Sequence, residues 1–348
     1  MTVKTAAELR EWVGQIFRAA GADERNAEAV AEHLVDANLC GVDTHGILHV
    51  PGYLAGIQAG EIVPDAWPEV LKETPTSALV GGNWTFGQSS ARWAMQLASA
   101  KAQAQGVAAV ALVQANHIGR LGFYAEMAAA QGLIGMVWAG GFGVEAPAAA
   151  PYGGRERVLH TNPLSMAFPA GAEPPLMFDF ATTGVAGMKV RNALERHESL
   201  PPGCLIDRDG QPSTNPQDFF DGGAYLPFGG HKGYAIMVAV EVLGRLFSGS
   251  DAFAEAPRGG AVMRHQGVTM IVFRAALFQP LAQFQGRLGE LERSVRDTPP
   301  APGFAEVLIP GDPEARTRAA RQRDGIPIPD DVWQTLTSAA AALGVPRI

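Results

Sequence analysis

The chain has 348 residues, 47% of them hydrophobic, with 27 basic and 35 acidic side chains and a formal net charge of −8. This length and composition predict a globular protein with a large core, built as two domains or as one large domain with an appended part. Lysines and arginines are scattered through an acidic chain, which argues against a nucleic-acid or anionic-membrane surface. We therefore expect neither nucleic acid nor membrane as a partner.

The cysteine content and the N-terminal sequence indicate the cellular compartment in which the protein is expected. Cys40 and Cys204 are the two cysteines of the chain, and they stand far apart. Two distant cysteines exclude a disulfide framework and are typical of a reducing compartment. The first residues lead into an amphipathic pattern without the apolar core of a signal peptide, and no run of about 18 apolar residues occurs. A cytoplasmic protein is expected.

The first 75 residues predict helices. Apolar residues at helical spacing between positions 5 and 20 predict a first helix, which Gly21 is placed to end. Asp23 is placed to cap a second helix that ends at Gly41, and residues 51–60 predict a third. Pro64 and Pro68 then mark a change in sequence character, which places a domain boundary near residue 75.

Strand and helix patterns alternate between residues 76 and 311, which predicts an α/β fold. Strands are expected at 78–80, 107–113, 133–139, 157–169, 175–180 and 268–273, and helices at 89–104, 124–131 and 234–248. Residues 184–225 are rich in Gly, Pro, Asp and Asn and predict an irregular arm, of a kind that often meets a partner subunit. The tail from residue 312 onward returns to helix.

A histidine lies in the loop that follows the second predicted helix. Asp43 and Thr44 precede His45, and Gly46 follows it. A histidine near its unperturbed pKa can donate or accept a proton at neutral pH, and the two polar neighbours are placed to orient or polarise the ring. His45 is the candidate chemical centre, although a histidine taken alone is more often a surface or satisfied core residue.

The spacing of His45 and His49 also admits a zinc site, because two histidines four residues apart can share a metal on one helical turn. Three features oppose that interpretation. Gly46 stands where a zincin carries glutamate, Pro51 interrupts any helix, and no third group of ligands stands out in the sequence. We expect no metal.

A second loop, residues 226–233, has the sequence Leu-Pro-Phe-Gly-Gly-His-Lys-Gly and opens into a helix at Tyr234. Its glycines let backbone N–H groups approach an anion, the helix N-terminus favours negative charge, and Lys232 adds a positive charge. The loop predicts a phosphate or pyrophosphate contact, and a glycine-rich turn with an exposed lysine is equally compatible. A dinucleotide-type glycine match at 141–146 is rejected, because prolines follow it where a helix should begin.

Polar residues also follow buried strands. His117 follows Asn116 at the end of one apolar strand and Asp179 ends another, positions where ligands commonly bind in α/β sheets. For Asp179, capping of the loop at 181–183 is an equal alternative. Thr161-Asn162-Pro163 and the segment 310–314 are further candidates that could be simple turns.

Six loop motifs in register resemble the malate/L-lactate (L-sulfolactate-type) dehydrogenase family over nearly the whole chain. They are Asp-Thr-His-Gly (43–46), Asn-His-Ile-Gly-Arg (116–120), Thr-Asn-Pro (161–163), Phe-Asp-Phe-Ala-Thr (178–182), Gly-His-Lys-Gly (230–233) and Ile-Pro-Gly-Asp (309–312). The segments 201–207 and 325–327 are most similar to the hydroxycarboxylate dehydrogenase B branch.

This resemblance implies an NAD- or NADP-dependent oxidoreductase with a non-Rossmann fold. Residues 76–311 would form the NAD(P)-binding and substrate domain around a mixed, mostly antiparallel sheet, with 184–225 as its arm. Residues 1–75 and 312–348, from both chain ends, would form a helical domain. The resemblance also implies a homodimer whose active site lies between the domains.

The resemblance further implies a role for each motif residue. His45 would give a proton to the carbonyl oxygen of a 2-oxo acid during reduction and take one from a 2-hydroxy acid during oxidation, with Thr44 and Asp179 completing the catalytic group and His117 lining the substrate pocket. The cofactor would contact His45, Gly119, Arg120, Leu121, Asn162, Met177, Phe178, Asp179, Phe180, Ala181, His231, Lys232, Gly311, Asp312 and Glu314.

One position departs from the family pattern. Many members carry an arginine four residues after the catalytic histidine, where it can grip the substrate carboxylate, and this chain has His49. We therefore expect a 2-oxo acid other than oxaloacetate, with a bulkier, aromatic side chain, anchored by protonated His49 or by Arg120. The alternatives are a reductase of cyclic imines (piperideine- or pyrroline-2-carboxylate), a zinc hydrolase using His45 and His49, and a non-catalytic nucleotide-binding protein.

Overall fold

The computed structural model describes residues 1–171 and 174–348. Its strands are β1 (Thr2–Lys4), β2 (Glu69–Glu73), β3 (Ser77–Gly81), β4 (Val107–Val113), β5 (Leu133–Gly140), β6 (Leu164–Phe168), β7 (Leu176–Phe180), β8 (Leu205–Ile206), β9 (Pro212–Ser213), β10 (Ala224–Tyr225), β11 (Gly267–Arg274) and β12 (Ile326–Ile328).

The helices are α1 (Ala6–Ala19), α2 (Glu24–Leu39), α3 (Val50–Gln58), α4 (Gly87–Gln105), α5 (Gly122–Ala129), α6 (Gly187–Glu195), α7 (Pro216–Phe220), α8 (His231–Glu241), α9 (Gly260–Met263), α10 (Leu281–Arg296), α11 (Asp312–Asp324) and α12 (Asp330–Ala342). A π-helical turn, Val242–Leu246, continues α8. Within the described residues, no helix combines the length and the apolar character needed to cross a membrane.

Seven strands form the main sheet in the order β2-β3-β4-β11-β5-β6-β7. The β3–β4 pair is parallel, whereas the other five pairs are antiparallel. The predicted mixed, mostly antiparallel α/β fold is therefore confirmed. Residues 141–163 carry no helix, so the glycine match at 141–146 does not open a Rossmann-type dinucleotide site.

The core of the sheet lies under α4 and α5. Apolar residues alternate between buried and partly exposed along β4, as expected for a strand covered mainly on one face. Small side chains let the helices approach closely: alanines 91, 94, 98 and 102 of α4 are buried in this core, and a Cβ added at Gly135 of β5 would lie 2.8 Å from that of Ala128 in α5.

A second core joins the two ends of the chain. The rings of Trp12 in α1 and Trp333 in α12 have centroids 5.0 Å apart, and β1 pairs with β12. Leu9, Val30 and Ile326 belong to the same buried cluster. This packing supports the proposed helical domain from both ends. The proposed domain boundary near residue 75 falls after β2, an edge strand of the main sheet. Pro64 and Pro68, where the helical sequence ends, precede β2.

The segment 184–225 is more ordered than its composition predicts. It contains α6, α7 and a small antiparallel sheet in the order β10-β8-β9. Val190, Leu205 and Tyr225 are buried in a small core of their own. The expected irregular arm thus holds two short helices and three two-residue strands, whose apolar residues cover one another.

A glycine in the turn after α8 lets this helix pack closely against the main sheet. A Cβ added at Gly244, in the π-helical turn, would lie 2.2 Å from the backbone nitrogen of Gly140 at the end of β5. No side chain fits between the two backbones, so Gly244 sets the distance between helix and sheet.

Gly244→Ala should therefore destabilise the fold by about 1–3 kcal/mol, the usual cost of overpacking. The matched control is Gly286→Ala on the exposed side of α10, where an added Cβ meets nothing within 4 Å. That variant should gain about 0.5–1 kcal/mol from helix propensity. Urea unfolding followed by circular dichroism measures both, and an unchanged midpoint for Gly244→Ala would refute the packing account.

Candidate active site

The loop that carries His45 is tied to the end of α2 by Asn38. The backbone N–H of Ile47 donates to Oδ1 of Asn38 at 2.9 Å, and Nδ2 of Asn38 donates to Oδ1 of Asp43 at 2.6 Å. Gly46 lies against this amide, and a Cβ there would come within 2.2 Å of Asn38 Oδ1. The glycine after His45 is therefore required by the space that Asn38 occupies.

Thr44 binds the two histidines of the loop. Nδ1 of His45 lies 3.0 Å from Oγ1 of Thr44, and Nε2 of His49 lies 2.9 Å from the Thr44 carbonyl oxygen. Because a carbonyl can only accept, the hydrogen of this second bond is on Nε2 of His49. In the neutral ring, Nδ1 of His49 is then the free acceptor.

His117 enters the same pocket from the end of β4. The amide of Asn116 donates to the carbonyls of Trp84 and Thr85 at 2.8 and 2.9 Å, which fixes the loop. The hydroxyl of Tyr53 lies 2.7 Å from Nδ1 of His117 and accepts from Nε2 of Gln88 at 2.6 Å. Tyr53 and Gln88 thus hold the His117 ring in place through its Nδ1 atom.

These contacts bring three imidazoles into one pocket. The ring centroid of His117 lies 5.7 Å from that of His45 and 4.8 Å from that of His49. Burial lowers the pKa of His45 to about 4, with the neighbouring His49 and Arg120 adding to the effect. Burial also lowers the pKa of His49 and, further, that of His117. At neutral pH the pocket therefore holds three uncharged imidazoles that can accept protons.

Arg120 lies beside this pocket in a buried ion network. Its guanidinium is 3.2 Å from Asp36 and 2.8 Å from Glu126, and 2% of the residue is exposed. Arg318 of α11 contacts the same two carboxylates. The network joins α2, α5 and α11. Its two Nη atoms pair with carboxylates, whereas its buried Nε has no hydrogen-bond partner among the described residues. A substrate contact by Arg120 stays a prediction.

The loop before α5 is held from two sides. The Arg120 N–H donates to Nε2 of His33 at 2.9 Å, and the Gly122 N–H donates to Oδ2 of Asp179 at 2.7 Å. Gly119 has a φ of +73°, and a Cβ there would lie 2.3 Å from His33 Nε2. Burial raises the pKa of Asp179 to about 6, against the lowering effect of Arg120 and of the Gly122 N–H. Asp179 thus caps α5 and borders the loop 119–121.

Aromatic contacts connect β7 with the glycine-rich loop 226–233. The Phe180 ring packs against Phe178 and, edge to face, against Phe228, with both centroid distances at 5.5 Å. His231 and Lys232 are exposed at the first turn of α8. Among the predicted cofactor residues, the structure therefore brings Phe178, Phe180, His231 and Lys232 into one region, with Ala181 directly after β7.

The remaining predicted cofactor residues are divided between two places. Asn162 is buried at positive φ and donates to Glu241 of α8 at 2.7 Å. Met177, Gly311 and Glu314 line a cleft of about 850 Å³ between α5, α10 and α11. Asp312 contacts Arg296 at 2.8 Å. Neither place includes the three imidazoles.

The sequence did not identify Tyr53, Gln88 or His33. Tyr53 carried a signal that could have found it, because it stands four residues after His49, one helical turn further along. Gln88 and His33 are joined to the pocket by contacts between elements distant in sequence. Within residues 1–171 and 174–348, no group of three His, Cys, Asp or Glu side chains is arranged to hold a metal ion.

Comparison with known proteins agrees with this architecture. A family model described as malate/L-lactate dehydrogenase matches residues 5–337. The chain is 35% identical to hydroxycarboxylate dehydrogenase B of Escherichia coli strain K12, over 98% of this chain and 94% of that protein. It is 34% identical to L-sulfolactate dehydrogenase of Methanocaldococcus jannaschii, over 95% of this chain and 94% of that one.

Solved structures give the same result. The sulfolactate dehydrogenase of Methanocaldococcus jannaschii superposes with a TM-score of 0.89 at 32% identity, covering 99% of this chain and 98% of that one. Δ1-piperideine-2-carboxylate reductase from Pseudomonas syringae has a TM-score of 0.85 at 30% identity, covering 98% and 100%. The resemblance seen in the sequence and the expected class of enzyme, a 2-hydroxy acid dehydrogenase, are confirmed. The chain belongs to the malate/L-lactate dehydrogenase family.

Proposed function

We propose that this enzyme interconverts a 2-oxo acid and a 2-hydroxy acid with NAD(H) or NADP(H), and that His45 exchanges the proton. The observation that carries the proposal is the group of three half-buried imidazoles of His45, His49 and His117, whose lowered pKa values favour the neutral form. A histidine beside the substrate carbonyl can act as a general acid during reduction and as a general base during oxidation. The related proteins named hydroxycarboxylate and sulfolactate dehydrogenases support it.

The proton transfer of the proposed reaction defines the roles of His45 and Thr44. A reduced nicotinamide, when bound, supplies a hydride to the carbonyl carbon. The imidazolium of His45 gives its proton to the carbonyl oxygen, which becomes the hydroxyl, and His45 is left neutral. In the oxidation direction, neutral His45 takes the hydroxyl proton. Thr44 orients the ring through Nδ1.

The glycine-rich loop fits the anionic part of such a cofactor. Gly229 and Gly230 have positive φ values, and a Cβ at Gly229 would meet nothing within 4 Å. Gly230, the N-cap residue of α8, has no side chain that could accept a hydrogen bond from the first N–H groups of the helix, which lie beside Lys232. Open N–H groups and a lysine suit a phosphate. We propose that His231 and Lys232 hold the phosphates and that Phe178 and Phe180 contact the rest.

His49 is the residue we propose for the substrate carboxylate. Arg120 is already paired with Asp36 and Glu126. His49 uses Nε2 for the Thr44 carbonyl, so Nδ1 remains to take a proton and bind an anion. The His49 imidazolium forms only when the substrate anion binds. This single positive charge can pair with one carboxylate. We therefore propose a monocarboxylic 2-oxo acid with a bulky uncharged side chain.

Reduction of a cyclic imine is the second candidate. The neighbour named Δ1-piperideine-2-carboxylate reductase covers almost the whole chain. A ring nitrogen would then take the place of the carbonyl oxygen in the histidine pocket. Turnover of a cyclic imine carboxylate, with all straight-chain 2-oxo acids inert, would favour this candidate over the first.

We propose that the homodimer forms through α8 and the turn that follows it. The side chains of Ile236, Val238, Val242, Leu246 and Phe247 are exposed there, by 36% to 66%. An exposed group of large apolar residues is typical of an interface between subunits. A second copy of the same face would cover it symmetrically. Light scattering that returns the mass of a monomer would contradict this proposal.

The proposed cytoplasmic location rests on the thiols. Cys40 and Cys204 are both free and buried. Free thiols persist in a reducing compartment. Recovery of the native protein from the periplasm or medium of its source cell would contradict this location.

The direct assay of the proposed function follows the absorbance of NADH and NADPH with a panel of substrates. Glyoxylate, pyruvate, oxaloacetate, hydroxyphenylpyruvate and a cyclic imine cover the alternatives. We expect turnover of an aromatic or bulky 2-oxo acid and less with oxaloacetate. His45→Ala should lower kcat about 10²–10⁴-fold, the usual worth of a general acid, with little change in NADH affinity.

The control for that variant is His197→Ala, which removes an exposed histidine of the segment 184–225 and should leave kcat unchanged. Full activity of His45→Ala would remove His45 from the mechanism and direct attention to His117. If neither cofactor is consumed with any substrate of the panel, the proposed function is wrong.

The low pKa of His45 predicts an asymmetric pH dependence. Free enzyme must first take up a proton before reduction, and a group with a pKa of about 4 is increasingly neutral as the pH rises. The kcat/KM for reduction should therefore fall about tenfold per pH unit above roughly pH 5. The kcat/KM for oxidation, which needs the neutral ring, should show no inflection near 6.5. A flat reduction profile from pH 5 to 7 would contradict this assignment.

A further inference from the structure

Arg321 of α11 binds the loop that carries His45. Its Nη1 donates to Oδ1 of Asp43 at 2.6 Å, and its Nη2 donates to Oδ2 at 3.0 Å. Nη1 also contacts the carbonyl of Asn38 at the end of α2. The Arg321 side chain is 17% exposed. Two parallel N–H bonds to one carboxylate fix direction as well as distance, which a single ion pair does not.

The chain is held by other elements on both sides of His45. Asp43, the first residue of the 3-10 turn that contains His45, is held by Arg321 and Asn38, and Ile47 is held by Asn38. His45 lies between these points and bonds through Nδ1 to Thr44 of the same turn. The position of the His45 imidazole therefore depends on the backbone of residues 43–47. The contacts of Asp43 hold that backbone in place.

The same helix has a second attachment with a different task. Arg318, three residues earlier, contacts Asp36 and Glu126 in the ion network that joins α2 to α5. Arg318 secures the helix to the rest of the protein, whereas Arg321 reaches the loop of His45. Helix α11 begins at Asp312, and its first turn borders the cleft between α5, α10 and α11.

We propose that Arg321 is a positioning residue for His45, acting through its paired bonds to Asp43. This inference rests on the proposed role of His45 as the proton donor. A misplacement of about 1 Å can cost on the order of 10²-fold in rate. Loss of the Arg321 contact should therefore lower kcat. It should also raise substrate KM, because His49 bonds the Thr44 carbonyl of the same loop, whereas NADH affinity should stay nearly unchanged.

The experiment compares Arg321→Ala and Arg321→Lys with Arg323→Ala. Arg323 lies on the same helix, pairs with Asp324 and is 72% exposed, so its removal changes the charge without reaching the loop. Hydrogen–deuterium exchange is measured for residues 41–49 and for β4 as a core reference. Steady-state kcat, KM and NADH affinity are measured on the same preparations.

For Arg321→Ala we expect faster exchange confined to residues 41–49 and a fall in kcat of about 10- to 100-fold. Arg321→Lys should recover part of kcat, because an ammonium keeps the charge but not the paired bonds. Arg323→Ala should match wild type in every readout. Exchange and kcat of Arg321→Ala equal to those of Arg323→Ala would overturn the proposal.

Two further outcomes also overturn it. Faster exchange throughout Arg321→Ala, β4 included, would assign Arg321 to general stability, and local exchange with unchanged kcat would separate the loop from the chemistry. A wild-type protein that turns over no 2-oxo acid marks failure of the proposed function, and the exchange of residues 41–49 then decides the positioning claim by itself.

Discussion

The buried ion network of Arg120, Asp36, Glu126 and Arg318 is the interaction on which the site depends. Two guanidinium groups alternate with two carboxylates, so each charge has two partners of opposite sign. Removal of one member of a buried ion pair typically costs about 3–5 kcal/mol, because its partner stays buried without compensation. The network joins α2, α5 and α11, the elements that carry the loops at 41–49, 119–121 and 311–314. Their relative positions follow from it.

The histidine pocket beside that network has the opposite electrostatic character. Burial lowers the pKa values of His45, His49 and His117, which favours the neutral imidazoles at pH 7. The Thr44 carbonyl fixes the hydrogen of His49 on Nε2. A neutral pocket accepts a proton readily when an anion arrives, since the anion favours the charged ring. Substrate binding and proton uptake are therefore linked in the proposed mechanism.

Local sequence patterns located the three histidines of the pocket but not the residues that hold them in place. Four-residue spacing placed His45 and His49 in one loop, and the end of an apolar strand placed His117 near a ligand site; the structure brings all three together. Tyr53 and His117 are 64 residues apart, and Arg321 and Asp43 are 278 apart. Such pairs form only when separate elements pack. The order of segment 184–225 and the membership of β2 in the sheet were missed for the same reason, because neither is set by local periodicity.

The central claim is that hydride passes from a nicotinamide to the carbonyl carbon while the histidine pocket supplies the proton from water. The most direct measurement uses NADH or NADPH deuterated at the transferred position, a 2-oxo acid substrate and NMR of the product. The account predicts one deuterium on C2 of the 2-hydroxy acid and none in the solvent-exchangeable hydroxyl group. A product without deuterium at C2, formed at the same rate, would contradict it.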